Sequence, residues 1–319
     1  MDRGTYAPLN ARGTARRSIV MTASTTRADL TTPARNWRLS SVVLFAAMVM
    51  LVAGTACSPG ALSVSAPDVR AVSAPSCGTK PTIVLVHGAW ANESSWSGEV
   101  ERLQRAGYVV RAVTNPLSGL DADAASVADF LRTIPGPIVL VGHSYGGSVI
   151  TNAAADNTHI KALVYVDAAA PAPGETTGQL SGMGSALSGP PGSLYETVPS
   201  TKAPVGDTRL YLKERVYRQS FGQDLPKRTT DVLWASQRPA AMSAFTTPSA
   251  AAAWKKIPSW YIIGTADKII TPQSQQAMAH RAHARVSFVQ GGSHLTLISH
   301  PQAVTRQILA AVHTTCARR

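Results

Sequence analysis

The sequence predicts an α/β domain whose mostly parallel sheet is flanked by helices and carries an inserted lid, and three observations lead there. From Pro81 onward short apolar runs alternate with helical patterns, a glycine-rich strand-to-helix turn occupies residues 142–147, and the alternation breaks between about Pro171 and Trp254.

The predicted strands are Thr82–Val86, Tyr108–Val113, Pro137–Val141, Ala162–Val166, Trp260–Ile263 and Val286–Val289. They read as continuous apolar runs, the pattern of strands buried on both faces of a parallel sheet. Between them Ser95–Ala106, Ala122–Ile134, Ser144–Ala155, Gln273–Ala282 and Pro301–His313 read as helices. Residues 171–254 begin as a loop-rich stretch and turn helical in pattern over Leu210–Phe221 and Leu225–Ala235. An insertion of this size after a strand is most simply a lid over the carboxyl edge of the sheet. Met183, Leu187, Leu194, Tyr195, Leu210, Tyr211, Phe221, Trp234, Met242 and Phe245 are candidates for its inner face, most of them as packing.

The N-terminal segment has a different composition. Residues 1–38 hold seven arginines against two aspartates, and an uncharged apolar run, Leu39–Ala53, follows, with Gly54, Thr55, Ala56 and Cys57 after it. A basic region, an apolar region and small residues form an export-signal pattern, so 1–56 is expected to be a leader and the protein exported, secreted or attached to the envelope. Cys57 is a possible lipidation site, although Gly54 stands where lipoproteins carry a larger aliphatic residue; an uncleaved anchor is the alternative route to a membrane. Residues 57–80 read as a Ser/Pro/Ala-rich linker, and the catalytic domain is expected over 81–319. Cys77 and Cys316 form an even pair that favours a disulfide in an oxidising compartment, against the alternative of two unpaired thiols. The net charge is +12, with the cations scattered and no basic cluster interleaved with aromatics, so no nucleic-acid partner is expected. Nothing in the sequence indicates an oligomeric state.

The chemistry concentrates at three strand ends. Gly142-His143-Ser144-Tyr145-Gly146 satisfies G-x-S-x-G directly after one predicted strand and before a helix. Glycines on either side let strand and helix approach while the Ser144 hydroxyl projects as a nucleophile. Asp267 and His294 each follow a later strand, in the chain order Ser, Asp, His. A parallel sheet carries all three to one edge, where His294 can take and return the Ser144 proton and Asp267 can fix the imidazole tautomer. Asp167 is the rival acid and His300 the rival base. His87-Gly88-Ala89-Trp90 follows the first strand; the backbone N–H groups of Ala89 and Tyr145 are the expected oxyanion donors, and His87 is expected to be structural. His280 and His283 fall in a predicted surface helix. There is no C-x-x-C, H-E-x-x-H, G-x-G-x-x-G or Walker A pattern, so neither a metal nor a cofactor is implied.

The stretches IVLVHGAW, LVGHSYGG, VYVDAAAPAPGE, ASQRP, SWYIIGTADKIITP and GGSHLTLISHP, spread over Pro81–Val312, resemble the bacterial α/β-hydrolases related to plant methylesterases and hydroxynitrile lyases. That resemblance implies the α/β-hydrolase fold, with Ser144 as nucleophile, Asp267 as acid, His294 as base, and Ala89 with Tyr145 as oxyanion donors. The lyases of that branch carry Thr where Gly88 stands and Lys where Leu295 stands, so the likeness points to ester hydrolysis through an acyl-enzyme on small to medium apolar esters. A lactonase, a cofactor-free perhydrolase or haloperoxidase, and a low-turnover ligand-binding protein of the same fold are the alternatives.

Overall fold

The computed structural model describes residues 79–200 and 207–316. Cys57, Cys77 and the leader lie outside the described residues, as does the side chain of Cys316, and with them the expected export signal, lipidation and disulfide.

The strands are β1 (Thr82–Val86), β2 (Val110–Val113), β3 (Ile138–His143), β4 (Ile160–Val166), β5 (Tyr195–Pro199), β6 (Thr208–Leu212), β7 (Ala240–Ala241), β8 (Ser259–Gly264) and β9 (Arg285–Val289). The helices are α1 (Ser97–Arg105), α2 (Leu120–Arg132), α3 (Tyr145–Ala153), α4 (Pro191–Leu194), α5 (Glu214–Val216), α6 (Lys227–Ala235), α7 (Ser243–Thr246), α8 (Pro272–Arg281), α9 (Thr296–Ser299) and α10 (Pro301–Cys316). Six strands form one parallel sheet in the order β2-β1-β3-β4-β8-β9, as the strand pattern predicts, in the α/β-hydrolase fold that the resemblance implies.

Burial explains why the central strands show no alternation. β1 and β3 have side chains covered on both sides, so Ile83, Val84, Leu85, Val86, Ile138, Val139, Leu140 and Val141 are all buried. The helices need only one apolar stripe each, as α2 shows with Leu120, Ala124, Val127 and Leu131 buried at helical spacing. Register then places the site. Val86 pairs with Gly142, His143 with Val166 and Gly264 with Val289, so the loops after β1, β3, β4, β8 and β9 all leave from the same edge.

The lid departs from its predicted form. Leu210–Leu212 is the end of strand β6 rather than the start of a helix, and β5, β6 and β7 make a small antiparallel sheet. Leu210 and Leu212 are buried while Tyr211 between them is not, a period of two hidden inside a leucine-rich segment that also fits a helix. Helical turns begin only at Glu214, and the second predicted lid helix is present as α6. Met183, expected on the inner face, is 97% exposed, because it lies in a turn between Gly182 and Gly184 that runs over the surface.

Gly142 is where strand and helix touch. A Cβ there would lie 2.6 Å from the Gly146 carbonyl oxygen and 2.9 Å from the Gly147 nitrogen, both backbone atoms that cannot rotate away. Gly142→Ala is therefore expected to destabilise the domain by about 1–3 kcal/mol, in the range of overpacked cores. A denaturant midpoint indistinguishable from the parent protein would contradict that contact.

Candidate active site

Ser144 joins β3 to α3 with φ +54° and ψ −126°, a backbone state unfavourable for a side chain with a Cβ. The turn is held there by close packing on three sides. A Cβ on Gly146 would meet the Val86 carbonyl oxygen at 2.6 Å, and one on Gly88 would meet Ser144 Cβ at 2.6 Å. The Ser144 N–H donates to the Val166 carbonyl at 3.2 Å, and the Ala169 N–H to the Ser144 carbonyl at 3.2 Å. The backbone of the strained turn is thus tied to β4 and its following loop.

Ser144 Oγ lies 2.7 Å from His294 Nε2, and His294 Nδ1 lies 2.8 Å from Asp267 Oδ2. Asp267 meets only donors: the Ile269 and Ile270 N–H groups on Oδ1 at 2.7 and 3.1 Å, and the Gln275 amide on Oδ2 at 2.7 Å. Burial pushes the Asp267 carboxyl upward, and these N–H groups oppose that by favouring the carboxylate. An acceptor at Nδ1 requires the proton there, which leaves Nε2 free to accept from the Ser144 hydroxyl. Burial also pushes the His294 imidazolium down to about 3, so the ring is neutral and available as a base.

The neighbouring histidines have other work. His87 donates from Nδ1 to the Gly88 carbonyl at 2.9 Å and accepts the Asn115 N–H at Nε2, 3.1 Å away. The Asn115 amide returns a bond to the His87 carbonyl at 3.0 Å. Burial pushes the His87 pKa down to about 4; it is a neutral strut of the loop, as expected from the sequence. His143 donates from Nε2 to the carbonyl of His294 at 2.8 Å and fixes the backbone of that residue, a contact that the sequence reading missed. His300 bonds Ser299 at 2.8 Å and flanks the start of α10, away from Ser144.

Asp167, the rival acid, is fully buried with φ +45°, accepts the Gly264 N–H at 2.7 Å and takes the Thr296 hydroxyl on its other oxygen. It clamps β4 to the end of β8 and to α9, and makes no bond to His294. Tyr145 begins α3, so its N–H has no intrahelical acceptor. Its hydroxyl donates to Asp123 at 2.7 Å and anchors the ring. Among the described residues no hydrogen bond occupies the Ala89 N–H either, and both backbone groups flank the Ser144 turn. The arrangement offers a neutral base, a hydroxyl and two free N–H groups, the components of acyl transfer.

The lid closes over this edge with aromatic rings. Phe221 meets the His294 ring edge-on at 5.0 Å, and Trp90 stacks between Tyr195 and Phe245 at 5.8 and 5.2 Å. Trp90 holds φ +57° and donates from its indole to the Leu210 carbonyl at 2.9 Å, which ties the loop after β1 to the lid strand β6. Of the expected inner-face residues, Tyr195, Leu210, Phe221 and Phe245 take part.

A family model described as "Alpha/beta hydrolase family" matches residues 83–307. An alpha/beta hydrolase of Aspergillus novofumigatus, nvfD, is 29% identical over 254 residues, covering 72% of this chain and 95% of its own. A carbendazim hydrolyzing esterase of a Nocardioides species is 34% identical over 106 residues, 29% of this chain and 44% of its own. Among solved structures, polyneuridine aldehyde esterase superposes with a TM-score of 0.62 at 18% identity, covering 73% of this chain and 99% of that one.

The two aspartates are separable by experiment. Asp267→Asn should cost about a thousandfold or more in kcat by mis-setting the imidazole tautomer. Asp167→Asn should instead lower stability by about 1–3 kcal/mol, as for a disturbed buried hydrogen bond, with kcat within about tenfold. Equal loss of kcat in both variants would show that the acid is misassigned.

Proposed function

The chain belongs to the alpha/beta hydrolase family, and from that premise we propose that it is a serine carboxylic ester hydrolase acting through an acyl-enzyme on small to medium apolar esters. The observation that carries the proposal is the unbroken hydrogen-bonded series from Ser144 Oγ through His294 to Asp267. In this reading Ser144 attacks the ester carbonyl while His294 Nε2 takes its proton and passes it to the leaving alcohol. Water then enters by the same route in reverse and releases the acid. The N–H groups of Ala89 and Tyr145 receive the oxyanion; worth several kcal/mol in comparable sites, such donors act without reorganisation. The rings of Trp90, Tyr195, Phe221 and Phe245 give the "apolar" in the substrate class. Leu295, buried beside the base, supplies no cation for a cyanide leaving group, which favours hydrolysis over lyase chemistry. The esterase name of the Nocardioides relative supports the same bond type.

A fluorophosphonate probe should label Ser144, and a panel of p-nitrophenyl esters should be turned over, with Ser144→Ala abolishing both. Because the neutral form of His294 is the active one and its pKa is lowered to about 3, turnover should hold level from pH 6.5 down to about 5. Labelling without turnover of any ester or lactone would favour a ligand-binding role, and an acid limb centred near pH 6.5 would show that burial does not hold the His294 imidazole below its ordinary pKa.

A further inference from the structure

Charge is distributed very unevenly along this chain. Residues 232–319 contain nine Lys or Arg and a single acidic residue, Asp267, which is buried at the candidate active site. This segment builds β8, β9, α8 and α10, one end of the sheet. Some of its cations are paired: Arg281 bonds both Glu175 oxygens, at 2.6 and 2.7 Å, and Arg238 lies 3.6 Å from Glu93. Lys255, Lys256 and Arg285 have no carboxylate partner among the described residues.

These three converge with His283 on one cavity of about 280 Å³, at the starts of β8 and β9 and so at the edge opposite Ser144. Trp254 and Trp260 form its floor, with Lys255 over the first ring at 5.8 Å and Arg285 over the second at 5.4 Å. Those contacts hold the cations around the rim and leave the indole faces covered. On the same strand as Arg285, but on its other face, stand two exposed apolar side chains, Val286 at 41% and Phe288 at 53%. β9 is the outermost strand, so its two faces meet solvent along one border. Cations and protruding apolar groups along one border of a sheet are the chemistry of an interfacial membrane contact. A nucleic acid would seek open aromatic platforms, and the two tryptophans are not open.

We propose that the β8–β9 end of the domain docks on an anionic phospholipid surface. Lys255, Lys256 and Arg285 engage headgroup phosphates, and Val286 and Phe288 enter the acyl boundary. The contact is independent of the proposed esterase activity and of any attachment through the leader.

The test is lysine acylation of the full chain followed by mass spectrometry, which reads the surface locally whatever the leader does. With vesicles of mixed phosphatidylcholine and phosphatidylglycerol, Lys255 and Lys256 should react about fivefold or more slowly than with pure phosphatidylcholine, while Lys213 and Lys227 in the lid keep their rates. The triple variant K255Q/K256Q/R285Q should lower the preference for anionic over neutral vesicles about tenfold or more, with turnover of a soluble ester unchanged. F288S should weaken anionic-vesicle binding without affecting that turnover. Equal protection on both vesicle types, or an undiminished anionic preference in the triple variant, overturns the proposal. So does full protection by inorganic phosphate alone, which makes the cavity a free-anion site, or retention on double-stranded DNA as tight as on vesicles, which makes the attraction a general one for polyanions.

Discussion

Backbone crowding at the end of β3 is the constraint on which the rest depends. Gly142 lets the strand and α3 come within van der Waals contact, Gly146 lets α3 lie against the end of β1, and Gly88 lets the loop after β1 lie against Ser144 itself. Any side chain at these positions would push the elements apart. With them in place Ser144 holds φ +54°, and its hydroxyl reaches His294 beyond the end of the strand. The strain is offset by the surrounding sheet, whose buried aliphatic strands leave the turn no room to relax.

Around that turn, burial sets the protonation states. His87, His143 and His294 are all buried, and desolvation lowers the pKa of each, so three imidazoles stand neutral in one small region. Each tautomer follows from a neighbour: a carbonyl for His87, the carbonyl of His294 for His143, and the Asp267 carboxylate for His294. The lid adds to the same seclusion, with Phe221 against His294 and Trp90 joining the first loop to β6.

Much of this was legible in the sequence because it is local. Ser144, Asp267 and His294 each sit just past an apolar strand beside glycines, and a parallel sheet leaves such residues one place to meet. The order Ser, Asp, His needed no structure to read. What was not legible depends on pairing across long sequence distances. The bond from His143 to His294 spans 151 residues and the clamp from Asp167 to Thr296 spans 129, and neither has a periodic signature. The lid was misread at Leu210–Leu212 because short leucine-rich segments satisfy both helical and strand spacing, and only the antiparallel partners β5 and β7 decide between them. The clustering of Lys255, Lys256 and Arg285 likewise needed the β8–β9 register, which sets Arg285 beside Trp260.

The domain thus has two chemically distinct edges: one at the strand ends that holds Ser144 under a cover of aromatic rings, and a cationic one at the strand starts. The central claim concerns the first, that Ser144 is acylated by an ester with His294 as its base. Rapid quenching of the enzyme with a slowly hydrolysed p-nitrophenyl ester, followed by peptide mass analysis, tests it most directly. The account predicts an acyl mass on the Ser144 peptide that forms in the parent protein, accumulates in step with nitrophenol release, and is absent from Ser144→Ala. Turnover with the acyl group found on another residue, or at an undiminished rate in Ser144→Ala, would contradict it.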